Sequence, residues 1–288
     1  MIPRVLIIAG ADSGGGAGLP ADIKSVSALG GHAMTAVTAV TAQNTLGVQA
    51  VLPVPAELVI AQARSCLNDL GADAVKIGML GSAETAHAVA DLLDGLGLPI
   101  VFDPVMVATS GAALADPATV AAFARLMRMA TVVTPNTPEL AALAGMDVKD
   151  EIEQADAANA LMDRTGCPAV LAKGGHLTLS GYSHGTDADG RGWRHDNDTR
   201  VFDFLYSQGA QGWQEWNWDS PRLATTSTHG TGCTLASAIA VGLARGRDLP
   251  DAIAEARTFV HAALLAAPGL GRGHGPMGQQ FAGATCPA

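Results

Sequence analysis

Short, continuously apolar runs alternate with helical patterns along most of this 288-residue chain. Val5 to Ala9, Ala74 to Ile77, Ile100 to Phe102, Thr131 to Val133 and Ala169 to Ala172 read as strands, and Thr35 to Thr41 as a further one. Helical patterns begin at Pro20 and Pro138 and span Ala56 to Leu70, Ala83 to Leu96, Pro117 to Met127 and Glu151 to Thr165. A strand that is apolar at every position is covered on both faces. Alternation with helices then requires an α/β fold with a mainly parallel sheet and helices on either side. Val201 to Tyr206 and Trp213 to Trp218 read as an antiparallel hairpin, with its tryptophans as packing residues.

In such folds a ligand sits beyond the carboxyl ends of the strands. Those ends carry the chain's polar signals: the loop Gly10 to Gly18, Asp103-Pro104, Thr134-Pro135-Asn136 and Lys173-Gly174-Gly175-His176. A second signal is Ser227-Thr-His-Gly-Thr-Gly-Cys-Thr234, followed by the small apolar run Leu235 to Leu243. A glycine-interrupted turn opening a helix gathers free N–H groups at the positive end of the helix dipole, where a phosphate or developing anion is held. Cys233 stands at that helix start, where a thiol pKa is expected to fall. A tight turn with a packed thiol is the plainer alternative.

Net charge is −10 and charged residues make up 15% of the chain, which excludes the basic stripe of a nucleic-acid binder. An anionic ligand therefore needs local help from helix N-termini, a few lysines or a metal ion. Cys66, Cys167, Cys233 and Cys286 are widely spaced with no C-x-x-C, so neither a zinc site nor a disulfide framework is expected. The apolar stretch in Met1 to Gly10 is too short for a signal peptide or membrane span, and a cytoplasmic setting is expected. Residues 1–288 read as one domain carrying a long polar surface loop near 177–200. Its Asp187, Asp189, Asp196 and Asp198 lack the glycine-to-glutamate frame of a calcium loop.

Taken in order, the motifs resemble the ribokinase-like superfamily, and within it the hydroxymethylpyrimidine/phosphomethylpyrimidine kinases of thiamine synthesis. The matching segments are Ala9-Gly-Ala-Asp-Ser-Gly-Gly-Gly-Ala-Gly18, Ala21-Asp-Ile-Lys24, Thr41-Ala-Gln-Asn-Thr45, Lys76-Ile-Gly-Met79, Asp103-Pro-Val-Met106, Thr134-Pro-Asn136 with Glu139, Lys173-Gly-Gly-His176, His229-Gly-Thr-Gly-Cys-Thr234 and Gly273-His-Gly-Pro276. The chain departs from the pattern at Pro20, where glutamine is usual, at Thr109, where lysine is common, and in the longer 177–200 loop.

The resemblance implies an ATP- and Mg²⁺-dependent phosphotransferase acting on a small pyrimidine, with a homodimer as the expected assembly. It implies an anion hole at Gly230, Thr231 and Gly232, and gives Cys233 the place of a base. Lys173, Asn136 and Thr231 would meet the nucleotide. Glu139 and Asp103 would organise the magnesium ion, because Mg²⁺ keeps waters and takes few carboxylates. Asn136 and Glu139 also have the spacing of a helix cap. Gln43 would read the ring with its amide, Met79, Gly10 and Val105 would line the ring site, and Asp22 would bond a hydroxyl. A pyridoxal or pyridoxine kinase and a non-catalytic vitamin-binding protein on the same fold are the rival readings.

Overall fold

The computed structural model describes residues 1–108, 111–176, 185–186, 192–193, 199–209 and 212–282. Thr109, the four aspartates of the 177–200 stretch and Cys286 lie outside the described residues. Along the chain run β1 (Arg4–Asp12), α1 (Gly18–Ala28), β2 (His32–Asn44), β3 (Gly47–Pro53), α2 (Ala56–Asp69), β4 (Ala74–Ile77), α3 (Ala83–Leu93), β5 (Ile100–Phe102) and α4 (Pro117–Met129). There follow β6 (Val132–Val133), α5 (Thr137–Ala144), α6 (Glu151–Thr165), β7 (Ala169–Lys173) and the short pair β8 (Gly185–Thr186) and β9 (Gly192–Trp193). The hairpin β10 (Arg200–Gly209) and β11 (Gly212–Pro221), then α7 (Thr231–Ala244), α8 (Leu249–Leu265) and α9 (Gln279–Ala282), complete the order.

Nine strands form one sheet in the order β11-β10-β7-β6-β5-β4-β1-β2-β3. The six strands from β7 to β2 are parallel neighbours, and antiparallel strands flank them on both sides. Alternate residues of β1 explain the continuous apolar runs. Leu6 and Ile8 enter a core under α2 to α6, whereas Val5, Ile7 and Ala9 enter a second core under α1, α7, α8 and α9. All five side chains are out of water, and burial of each of Val5, Leu6, Ile7 and Ile8 contributes roughly 1.5–3 kcal/mol.

The elements start and stop for local reasons. Asp116 caps α4 by accepting from the N–H of Thr119, with Pro117 in the first turn. Asp150 caps α6 in the same way. α3 ends at Leu93, before the expected Leu96, because Asp94 is extended and Gly95 has φ 76°. The β10–β11 hairpin is present, with Leu205 opposite Trp216. Trp216 and Trp218 pack on the second core, while Trp213 stacks on Tyr206 and stays half exposed. No described helix is long and apolar enough to cross a membrane.

Candidate active site

The parallel strands end on one side, and Asp12, Gln43, Asp103, Asn136 and Lys173 all emerge there. α7 points its first turn at them. Gly230, its N-cap, has φ 86°, and a Cβ at this position would stand 2.1 Å from the Gly16 carbonyl oxygen. Only glycine serves there. A Cβ on Gly232 would fall 3.0 Å from Lys173 Nζ and 3.5 Å from an Asp103 oxygen, so the turn lies against that pair. No side chain caps α7. The N–H of Thr231 donates to Thr228 O at a long 3.4 Å, and the next two, of Gly232 and Cys233, are the ones that can turn to a ligand.

Cys233 sits in that turn, on the cavity wall. Its thiol does not follow the expected fall. Burial pushes it up to about 11; Lys76 opposes the rise, and Asp22 and Asp103 add to it. Desolvation here outweighs both the Lys76 charge and the backbone hydrogen bond from Gly18.

One turn along α7, Ser237 Oγ donates to Asp22 Oδ1 at 2.8 Å. Lys76 Nζ donates to both Asp22 oxygens, at 3.0 and 2.9 Å, and both side chains are fully buried. Burial works against both charges. It raises the Asp22 pKa, opposed by Lys76 and Ser237, whereas at Lys76 the facing carboxylate outweighs burial and raises the ammonium pKa. The two short contacts from one ammonium to both carboxylate oxygens are those of an ion pair. The Asp22 carboxylate is thereby held beneath the site and does not line the cavity. This corrects the expectation that Asp22 bonds a substrate hydroxyl.

Lys173 Nζ donates to Asp103 Oδ1 at 2.9 Å and lies 4.0 Å from Glu139 Oε2. The Thr134 hydroxyl donates to the same Asp103 oxygen at 3.1 Å. The Asn136–Glu139 spacing is also a true capping box: Asn136 Oδ1 accepts from the N–H of Glu139, and Glu139 Oε2 accepts from the N–H of Asn136. Capping does not exclude the second role, because Asn136 and Glu139 both line the cavity. Burial pushes the Glu139 carboxyl up to about 7; Asp103 adds to the rise and Lys173 opposes it. Two carboxylates facing one ammonium leave a local negative excess. That donor set suits a hard divalent cation with retained waters.

At the other end of the cavity, Met79 Sδ lies 3.2 Å from where a Cβ on Gly10 would be. The Gln43 amide lies 3.2 Å from the Thr41 hydroxyl and 3.3 Å from His229 Nε2. His229 Nε2 is in turn 2.9 Å from Asp12 Oδ2. Asp12 also accepts from the N–H groups of Gly14, Gly16 and Ala17 at 2.8, 3.0 and 2.9 Å. Burial raises the Asp12 pKa, but His229 and the backbone N–H groups outweigh it and hold the carboxyl below its ordinary value. The whole cavity has a volume of about 1050 Å³.

Known proteins resemble this chain in sequence and fold. A family model described as phosphomethylpyrimidine kinase matches residues 12–278. The chain belongs to the phosphomethylpyrimidine kinase family. It is 47% identical to the hydroxymethylpyrimidine/phosphomethylpyrimidine kinase of Rhizobium meliloti, over 96% of this chain and 97% of that protein. A phosphomethylpyrimidine kinase structure from Clostridium difficile superposes with TM-score 0.71 at 30% identity, covering 91% of this chain and 99% of the other. An ADP complex of Bacillus subtilis pyridoxal kinase superposes with TM-score 0.80 at 30% identity, covering 96% and 97% of the two chains. The ribokinase-like α/β fold expected from the motifs is thus the fold of this phosphomethylpyrimidine kinase family member.

Within this family member, one cavity wall gathers Gly10, Gln43, Met79, Val105, Asp103, Asn136, Glu139, Lys173 and the Gly230–Cys233 turn. Asp22 alone among the expected site residues is left behind the wall. Sequence reading missed Asp12 and His229 as site residues, although both stand inside motifs already singled out. Their pairing joins segments 217 residues apart, which no local pattern shows.

Proposed function

We propose that this chain transfers the terminal phosphoryl group of ATP to the hydroxyl of 4-amino-5-hydroxymethyl-2-methylpyrimidine, and then to the monophosphate so formed, in thiamine biosynthesis. The observation that carries this reading is the meeting of an uncapped helix start, a thiol and the Lys173–Asp103 pair in one cavity with the Gln43 amide. Phosphoryl transfer needs mainly positioning and charge stabilisation. The opening N–H groups of α7 would hold the transferred phosphoryl, and Lys173 would neutralise a phosphate oxygen of the nucleotide. Cys233 Sγ would take the hydroxyl proton as the alcohol oxygen attacks phosphorus. A thiolate of raised pKa is scarce at neutral pH and strongly basic when formed.

Glu139 and Asp103 would hold Mg²⁺ directly or through water, and the ion when bound supplies positive charge to the phosphate oxygens. Gln43 would read the aminopyrimidine edge, with Met79, Gly10 and Val105 around the ring. Residues 1–288 would act as one kinase domain in the cytoplasm. Exposed Val51 and Leu52 on β3, one of the two edge strands of the sheet, support a homodimer. The alternative, a pyridoxal kinase, draws on the B. subtilis likeness at 30% identity, against 47% for the R. meliloti pyrimidine kinase.

The test is a product assay by mass. ATP and Mg²⁺ are supplied with the pyrimidine, its monophosphate or pyridoxal in separate reactions. Mono- and diphosphate products from the two pyrimidines, with little from pyridoxal, are expected. Turnover of pyridoxal alone would overturn the reading.

A further inference from the structure

His229 touches two groups that constrain each other. Its Nε2 is 2.9 Å from Asp12 Oδ2 and 3.3 Å from the Gln43 amide. Asp12 Oδ2 already accepts from the N–H groups of Gly16 and Ala17, so it is an ionised acceptor. His229 Nε2 must therefore carry the hydrogen that it gives to Asp12. An N–H cannot accept. Amide nitrogen placed towards His229, as Gln43 Nε2 stands in the structure, sets two donors against each other.

The far end of the amide carries the same message. Thr41 Oγ1 has one hydrogen, and the Ala11 carbonyl is an acceptor at 3.0 Å. Amide oxygen placed towards Thr41 would ask that hydroxyl to donate twice. Reversing the amide removes both conflicts at once. Gln43 Oε1 then shares the His229 Nε2 hydrogen with Asp12, Gln43 Nε2 donates to Thr41 Oγ1, and Thr41 donates to Ala11.

We infer that the Asp12–His229 pair is a positioning device that locks the Gln43 amide with its oxygen towards His229, and so fixes the substrate edge this site accepts. The remaining amide hydrogen then faces the ligand on the Thr41 side, and the remaining oxygen lone pair faces it on the His229 side. A ring nitrogen beside an exocyclic amino group matches that pattern in one direction only. The ring nitrogen lies towards Thr41 and the amino group towards His229. This inference rests on the reading of Gln43 as the residue that contacts the ring.

The ring of His229 also fixes its own place. A Cβ on Gly16 would stand 2.4 Å from His229 Cδ2 and 3.3–3.4 Å from Cγ and Nε2, so the Cδ2 edge of the imidazole abuts the glycine loop. The N–H of His229 donates to Gly275 O at 3.1 Å. A phenylalanine ring fills the same space without the Nε2 hydrogen, which makes His229→Phe the informative change.

The experiment measures kcat/KM for 4-amino-5-hydroxymethyl-2-methylpyrimidine and for its analogue with hydrogen in place of the amino group. Wild type, His229→Phe, Gln43→Leu and the double variant are compared. His229→Phe is expected to lower the amino-over-hydrogen preference by about 10-fold, mostly through KM. Adding it to Gln43→Leu is expected to change the preference no further. His229→Gln, which keeps a donor, is expected to retain the preference, and it carries the test should the phenylalanine variant not fold. Equal losses on both compounds in His229→Phe, with the preference intact, overturn the inference. An unchanged preference in Gln43→Leu overturns the reading of Gln43 itself, which separates the two failures.

Discussion

Lys76 Nζ lies 3.0 and 2.9 Å from the two carboxylate oxygens of Asp22, with both side chains wholly out of water. The pair bridges β4 and α1, and Ser237 ties it to α7 one turn behind Cys233. Removing one member of a buried pair leaves the other as an uncompensated charge, at a cost of about 3–5 kcal/mol. Lys76→Met should destabilise the protein by that order, and Lys76→Met with Asp22→Leu should recover much of the loss. Urea unfolding of the two variants measures this. A double variant no more stable than Lys76→Met would show that the charge is not what the single change exposes.

Glu139 gives a pH signature. Its folded pKa of about 7 exceeds the ordinary 4.5, so the folded state binds more protons between these values. Stability should therefore fall as pH rises from about 4.5 to about 7, since the unfolded state then releases its proton first. Thermal unfolding without Mg²⁺ should show that decline in the wild type and less of it in Glu139→Gln. The same variant should need more Mg²⁺ for activity, because a hard cation loses a carboxylate. An unchanged magnesium titration would leave Glu139 with its capping role alone.

What the sequence disclosed, and what it did not, follows from the range of the forces. β4, β5 and α6 appear with the bounds read from the sequence, because burial on both sheet faces and an Asp cap leave local patterns. β3 was not foreseen: most of its residues are exposed, and its short apolar stretch Ala50 to Leu52 follows Gln49 and is cut off by Pro53. α8 was passed over although Asp248 and Pro250 mark its start. The strand-end residues were legible because topology alone brings them to one rim. Asp22 was misread because its partner, Lys76, lies 54 residues away. The thiol of Cys233 was misjudged because a local rule about helix starts gave way to tertiary burial.

Cys233 should matter differently in the two phosphorylations. An alcohol must lose a proton as it attacks, whereas a phosphate monoester presents an oxygen that is already ionised. Cys233→Ala should cut kcat on the hydroxymethyl compound by roughly 10²-fold, the scale of general-base loss. It should cut kcat on the monophosphate much less. For the first step, wild-type kcat should rise with pH towards the thiol pKa of about 11, because the base must be deprotonated to act. Steady-state rates on both substrates across pH test the assignment, and equal losses on the two would remove Cys233 as the base.

In the proposed reading, Gln43 decides what the ring site recognises. Its amide has one donor and one acceptor left to face a ligand while Thr41 and His229 hold its other edge. Gln43→Leu preserves bulk but leaves the amino group and ring nitrogen of the bound pyrimidine without their partners in the cavity. Each unsatisfied group costs about 1–3 kcal/mol. The pyrimidine should therefore lose roughly 10- to 10³-fold in kcat/KM. Pyridoxal lacks that amino edge and should lose less, shifting the preference towards it. The measurement is kcat/KM for both compounds with both proteins. Equal losses would mean that Gln43 supports the cavity without reading the ring, and no loss for either would place it outside the site.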